Sequence, residues 1–445
     1  MGLRSRLGII TGEKTGGDKI KTAQSESDYY AVKSKIHYNV IEHINLSVLS
    51  KSNDEAMVAE LEKAIRMVIN EQGLALSEQE NEQLVLEIKN EVLGLGPLEP
   101  LLADESISEI MCNSYDRVYI ERNGRLQKIP VRFSDDNHLL KIIDKIVTAV
   151  GRRIDESSPL VDARLLDGSR VNAIIPPLAI DGPALTIRKF KKDPLKVDDL
   201  IRFGSISSEA ARLMEGVVKA RLNVIISGGT GSGKTTMLNV FSSFIPKNDR
   251  IVTIEDSAEL QLQQDHVVRL ETRPPNIEGH GEITMRELVK NCLRMRPDRI
   301  VVGEVRSGEA LDMMQAMSTG HDGSLTTLHA NTPRDCLSRL ETLVAMGGLD
   351  ISEKAIRRQI ASAVHIVVQV ARLSDGSRKV TSFTEVTGME GTIITLQEIF
   401  KFEQTGVDEN GKVIGHFGPT GIRPFFSQKL KAHGFDLDGN MFKVH

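Results

Sequence analysis

The chain has 445 residues, of which 40% are hydrophobic and 26% charged, with a formal net charge of −5. That is enough for about two or three cored domains, and it lacks the domain-scale basic excess of a nucleic-acid binder, although a local basic patch stays compatible with it. Cys112, Cys292 and Cys336 are odd in number and form no C-x-x-C pair, which argues against a disulfide framework and a zinc module and fits a reducing cytosol.

Residues 1–26 are rich in Gly, Lys, Ser and Thr without periodicity and are expected to be a disordered tail. Residues 27–95 carry three helical stripes: Val32, Ile36, Val40 and Ile44; Met57, Leu61, Ile65 and Val68; and Leu84, Ile88 and Val92. The third is opened by the capping box Ser77-Glu78-Gln79-Glu80. Each stripe is a packing face, suited to joining the three helices or to docking on another subunit. Gly94-Leu95-Gly96-Pro97 stops the helical run, and 96–190 reads as an α+β domain of short strands. Asn123-Gly124 turns one hairpin between Val118-Tyr119-Ile120 and Leu126 to Ile129; Asp167-Gly168 turns another between Val161 and Ile175. With Gly168 left-handed in a three-residue loop, Arg164 and Arg170 lie opposite each other, and two facing like charges invite an anion. Leu185 to Arg188 alternates as a further strand.

The charged, Pro194-containing stretch Lys189 to Asp199 places a linker at 191–205. From 206 to 405 strands and helices alternate: a helix near Glu209 to Ala220, strand Leu222 to Ile226, strand Ile251 to Glu255, helix Met285 to Met295, strand Ile300 to Val302, helix Gly308 to Met317 and strand Ser324 to Leu328. This pattern predicts an α/β domain with a largely parallel sheet and ligands at the carboxyl ends of its strands. Residues 406–445 are read as a tail, with Asp408 to Gly411 as a hairpin turn. No apolar stretch approaches the ~18 residues that span a bilayer, so membrane association is expected through partners rather than by insertion.

Between the strand ending near Ile226 and the following apolar helix stand Gly228, Gly229, Thr230, Gly231, Ser232, Gly233, Lys234 and Thr235, followed by Thr236. They complete the phosphate-binding loop G-x-x-x-x-G-K-[ST] in its required strand-to-helix context. Glycines allow the tight turn that aims backbone N–H groups and the helix N-terminus at phosphate oxygens. Lys234 would reach the β- and γ-phosphates of ATP and the Thr235 hydroxyl would ligate Mg²⁺. A similar stretch, Gly12 to Lys19, carries Asp18 where the lysine is needed and is read as part of the flexible tail.

Phosphoryl transfer to water also needs a water-activating base and positive charge on the phosphate. Glu304 follows the strand Arg299 to Val302 and is the candidate base. Glu255, Asp256 and Glu259, after the strand Ile251 to Ile254, are candidates to hold Mg²⁺ through water or to share the activating role. His321 and His329 bracket the strand Ser324 to Leu328 and suit a phosphate contact. Arg164, Arg170 and Arg188 belong to the amino-terminal sheet and would reach nucleotide only by domain closure, which would couple ATP state to movement. Arg273, Arg294, Arg296 and Arg306 are alternatives.

Thr253-Ile254-Glu255-Asp256 resembles the Asp box of secretion ATPases, Val302-Gly303-Glu304-Val305-Arg306 their atypical Walker B, and Thr319 to Asn331 their His box. With the phosphate loop, four boxes in order resemble the type II/IV secretion ATPase superfamily. Gly94 to Leu102, Arg269 to Asn276, Met295 to Arg299 and Thr420 to Pro424 are similar to the CpaF-type motors of Tad/Flp pili. The likeness covers about residues 75 to 445. Ser114, His280 and Ser307 depart from the residues common there. The resemblance implies a RecA-like P-loop ATPase domain, preceded by a smaller α+β, PAS-like domain and an N-terminal helical region. It further implies a cytoplasmic homohexamer, peripheral at the inner membrane through platform proteins, that uses Mg²⁺ and ATP and no nucleic acid. In that frame Lys234 and Thr235 bind Mg-ATP, Glu304 activates water, and Arg164, Arg170 and Arg188 sense phosphate. The expected function is pilus extension, with retraction also open; the alternatives are a type IV secretion ATPase exporting protein or DNA, a nucleic-acid translocase, and a nucleotide-dependent scaffold.

Overall fold

The structure is a computed structural model that describes residues 29, 32–41, 55–73, 76–122, 124–190, 194–275, 280–348 and 351–444. The expected tail at 1–26, with its decoy loop, and positions Ile44, Asn123 and Asn276 lie outside the described residues. Contacts divide the chain into two units, Met1–Lys191 and Lys192–His445.

In the first unit, helices cover 32–41, Glu55–Glu71 and Glu78–Leu93. Their stripes close on one another: Ile36, Val40, Leu61, Ile65, Val68, Leu84 and Ile88 form one buried cluster. Full burial of each such side chain contributes about 1.5–3 kcal/mol, so packing within the chain accounts for the stripes. Ser77 caps the third helix as expected, its N–H donating to Glu80 at 2.9 Å while its hydroxyl accepts from the Glu80 N–H, a device worth about 1 kcal/mol.

The sheet of this unit has strands β1 (Ile107–Ser114), β2 (Arg117–Arg122), β3 (Arg125–Ile129), β4 (Leu160–Arg164), β5 (Arg170–Ile174) and β6 (Ala184–Arg188), in the antiparallel order β3-β2-β1-β6-β5-β4. One face packs against the helix Asp136–Ala149, whose Leu139, Ile142, Ile143, Ile146 and Val147 are buried. In the β4–β5 hairpin the Leu165 N–H donates to Ser169 O at 2.9 Å and Gly168 has φ +91°. That three-residue loop sets Arg164 opposite Arg170, and β6 sets Arg188 opposite Arg170 in turn. Residues directly opposite share a face, so the three arginines form a row. Glu109 of β1 continues the row and binds Arg188 at 2.7 Å.

The second unit is built on a nine-stranded sheet. Its strands are β7 (Val224–Gly228), β8 (Ile251–Glu255), β9 (Val267–Glu271), β10 (Arg299–Val302), β11 (Leu325–Leu328), β12 (Ile366–Arg372), β13 (Arg378–Glu390), β14 (Ile393–Val407) and β15 (Val413–Pro419), in the order β15-β14-β13-β12-β7-β11-β10-β8-β9. The six strands from β12 to β9 pair in parallel; β13, β14 and β15 add antiparallel hairpins. The parallel core is apolar on both faces, as helices on both sides require. Val224 and Ile226 join one core cluster and Ile225 the other.

Three details differ from expectation. The charged linker region contains a helix, Val197–Arg202, because the Asp199 carboxylate accepts the Lys196 N–H at 2.9 Å and opens a helical turn. The helix at Met285 ends at Cys292 rather than Met295, with Arg296 turning left-handed at φ +53° just before Pro297. Of residues 406–445, read as a tail, the described stretch 406–444 completes the sheet and core. Phe417, Phe426, Leu430, Leu437, Met441 and Phe442 are buried, and the buried Glu385 accepts the Phe425 and Phe426 N–H groups at 2.9 Å each. Among the described residues no helix is long and apolar enough to cross a membrane.

Candidate functional site

The parallel strands deliver their carboxyl ends to one edge, and most of the candidate groups of this unit follow from that direction. β7 ends at Gly228 and the chain turns through Gly231 at φ +68° and Gly233 at φ +96° into the helix Lys234–Ser243. Both φ values lie in the left-handed region that glycine tolerates. The Ser232 hydroxyl donates to Gly229 O at 2.8 Å and the Met237 N–H to Gly233 O at 2.9 Å, which shapes the loop and starts the helix. Lys234 Nζ donates to Gly228 O and Gly229 O at 3.1 Å each. Burial lowers the Lys234 pKa, the Glu304 charge opposes that and the Arg306 charge adds to it. Lysine, glutamate and arginine therefore share one electrostatic neighbourhood.

Glu255 ends β8 and is 3% exposed. Its Oε2 accepts the Glu259 and Leu260 N–H groups at 2.7 and 2.9 Å, while Oε1 is buried without a hydrogen-bond partner. Burial pushes its pKa up to about 7 against the pull of the two amides. The orphaned carboxylate oxygen and the Thr235 hydroxyl are hard oxygen donors of the class Mg²⁺ takes, so the residues fit that ion. Asp256 instead meets Arg306 at 3.4 Å.

The segment after β10 is stitched to both neighbouring strands. Gly303 N–H donates to Ile254 O at 2.8 Å, the Thr327 hydroxyl donates to Gly303 O at 2.7 Å, and Val305 N–H donates to Thr327 O at 3.0 Å. A Cβ at Gly303 would stand 3.0 Å from Glu255 Cγ, so glycine there lets the two acidic segments pack. Glu304 then emerges with its side chain 23% exposed, gripped by Arg306 through Nε at 2.9 Å and Nη2 at 2.6 Å, both to Oε2.

The histidines separate. His329 follows β11 at the carboxyl edge, whereas His321 precedes it at the amino edge, where its N–H donates to Ala316 O. Strand direction thus removes His321 from the phosphate-loop edge of the sheet. Of the alternative arginines, Arg273 is engaged with Gly281 O at 2.6 Å and Arg296 forms the turn before Pro297; Arg306 is the one at Glu304. Arg164, Arg170 and Arg188 form their row in the first unit.

Sequence reasoning missed Arg372 and Arg378. They end β12 and begin β13, and Arg378 Nε donates to Gly231 O at 2.9 Å on the phosphate loop. β12 reaches the loop because it pairs with β7, setting Val370 opposite Gly228. The readable signal was Asp375-Gly376 between two β-rich runs, with Gly376 at φ +84°.

A family model described as "Type II/IV secretion system protein" matches residues 91–421. The chain belongs to that family. This secretion ATPase joins a RecA-like P-loop domain to a smaller amino-terminal domain, and hydrolysing ATP is its activity. It is 38% identical over 312 residues to a Mycobacterium tuberculosis protein named "Putative conjugal transfer protein", covering 69% of this chain and 88% of the relative. It is 34% identical over 294 residues to the conjugal transfer protein TrbB of Rhizobium radiobacter, covering 65% and 86%. Among solved structures it is similar to the VirB11 ATPase of the Brucella suis type IV secretion system in complex with sulphate, at 29% identity and TM-score 0.35 over 65% of this chain and 92% of that one.

Proposed function

We propose that this secretion ATPase is a homohexameric motor that powers Tad/Flp pilus assembly at the cytoplasmic face of the inner membrane, acting on platform proteins there. The observation that supports the enzymatic part is that Lys234, Glu255 and Glu304 all stand at or after the carboxyl ends of the parallel strands β7, β8 and β10. The pilus part rests on the CpaF-like segments of the sequence.

On binding ATP, Lys234 exchanges its two carbonyl acceptors for β- and γ-phosphate oxygens, and the loop N–H groups take the remaining charge. Thr235 and Glu255 are the residues that would hold Mg²⁺, which would supply charge neutralisation at the phosphates when bound. Glu304 orients the attacking water and accepts its proton as the water oxygen bonds to the γ-phosphorus and the bond to the β–γ bridging oxygen breaks. The products are ADP and phosphate. Arg164, Arg170 and Arg188 enter this proposal as phosphate sensors, since Arg164 and Arg170 stand opposite each other in a row that Arg188, paired with Glu109, extends.

The names of the relatives favour a second reading, in which the same motor serves an export or conjugation machine. Replacing Lys234 with alanine in the native organism separates the two. Loss of surface pili with export and mating intact supports the pilus motor; pili retained with export or mating lost supports the rival.

A further inference from the structure

We infer that Arg306 is the positioning residue for the hydrolytic water, fixing Glu304 so that one carboxylate oxygen, Oε1, is left to accept the proton. The inference rests on Glu304 being the base. Two guanidinium nitrogens converge on a single oxygen, Oε2, at 2.9 and 2.6 Å. The third, Nη1, lies 3.4 Å from the Asp256 carboxylate. One planar cation therefore bridges the segment after β10 and the segment after β8.

The bridge stands on a fixed base. The Arg306 and Ser307 N–H groups donate to Glu309 Oε1 at 2.6 and 2.8 Å, and Glu309 is 6% exposed at the start of the helix Glu309–Ser318. A glutamate at a strand end has several rotamers, and freezing it without partners costs entropy. The arginine fork selects one rotamer and occupies Oε2. A lysine could supply the charge but not the fork. The same geometry speaks against Arg306 as a phosphate sensor, because its charge already faces two carboxylates.

The test uses the full-length chain with Mg-ATP in steady-state and single-turnover assays of Arg306→Ala, Arg306→Lys, Glu304→Gln and the Arg306→Ala/Glu304→Gln double variant, with circular dichroism and thermal unfolding as the check that each is folded and binding of a fluorescent ATP analogue as the affinity readout. Arg306→Ala is expected to lower kcat about ten- to a hundredfold with KM for ATP within about twofold, the scale of loss when a reacting group is misplaced by an ångström. Arg306→Lys restores part of the rate. In the Glu304→Gln background the arginine change has no further effect, because both act through one group. Unchanged kcat in Arg306→Ala, a parallel loss of ATP affinity that marks a phosphate contact, or an additive loss in the double variant overturns the inference. Full turnover in Glu304→Gln overturns the base assignment itself, and the inference with it. If Arg306→Ala fails the folding check, Arg306→Lys decides: a reduced kcat at unchanged KM supports the fork, and a wild-type kcat overturns it.

Discussion

Replacing Glu255 with glutamine should make the protein more stable at neutral pH and leave the gain dependent on pH. The carboxyl is 3% exposed, and burial raises its pKa from 4.5 to about 7. A native value above the unfolded one means that the folded chain keeps this proton between those limits while the unfolded chain has lost it. Wild-type stability is therefore favoured below the unfolded value, falls as pH rises through the window, and levels off above the folded value. At about 1.4 kcal/mol per pH unit, the window from 4.5 to about 7 corresponds to roughly 3 kcal/mol. Glutamine keeps an acceptor for the Glu259 and Leu260 amides and never ionises. Urea unfolding of wild type and Glu255→Gln at pH 5, 6, 7 and 8 should show the variant gaining roughly 2–3 kcal/mol on wild type from pH 5 to 7 and little beyond. A pH-independent difference, or one of opposite slope, refutes the reasoning, since it would mean that the two amides balance or outweigh burial.

Other consequences follow from named contacts. Arg299 is fully buried and binds Asp249 at 2.7 Å; Arg299→Met should cost about 3 kcal/mol in urea denaturation, at the low end for a broken buried pair, because Arg221 still meets Asp249 at 3.0 Å. His321→Ala should leave kcat and ATP affinity within about twofold, whereas His329→Ala should lower kcat by about tenfold or more; equal losses in both would contradict the strand-direction argument. Gly231→Ala, at φ +68°, should strain the phosphate loop by about 1–2 kcal/mol and weaken ATP binding correspondingly in a fluorescence titration.

Local signals carried the site a long way. The strands around Ile225, Ile254 and Val301 are short, largely apolar runs, and the parallel sheet places Lys234, Glu255 and Glu304 at or after their carboxyl ends. The turn at Gly168 predicted the facing of Arg164 and Arg170 because a hairpin loop fixes register over a few residues. What escaped was non-local. Arg378 reaches Gly231 across 147 positions of sequence through the pairing of β12 with β7. His321 was misplaced because two residues that bracket a strand look symmetrical in sequence, while a parallel sheet sends them to opposite edges. The final forty residues looked like a tail because they are Gly-rich and partly charged, yet the buried Phe426 and Leu430 draw this segment onto the core.

The central claim, hydrolysis by Glu304 of ATP held at Lys234, is tested most directly by phosphate release from the full-length chain in Glu304→Gln beside wild type, with ATP affinity measured on the same samples. The account predicts unchanged affinity with phosphate release reduced at least a hundredfold, about 2.7 kcal/mol of transition-state stabilisation. Release at the wild-type rate would contradict it.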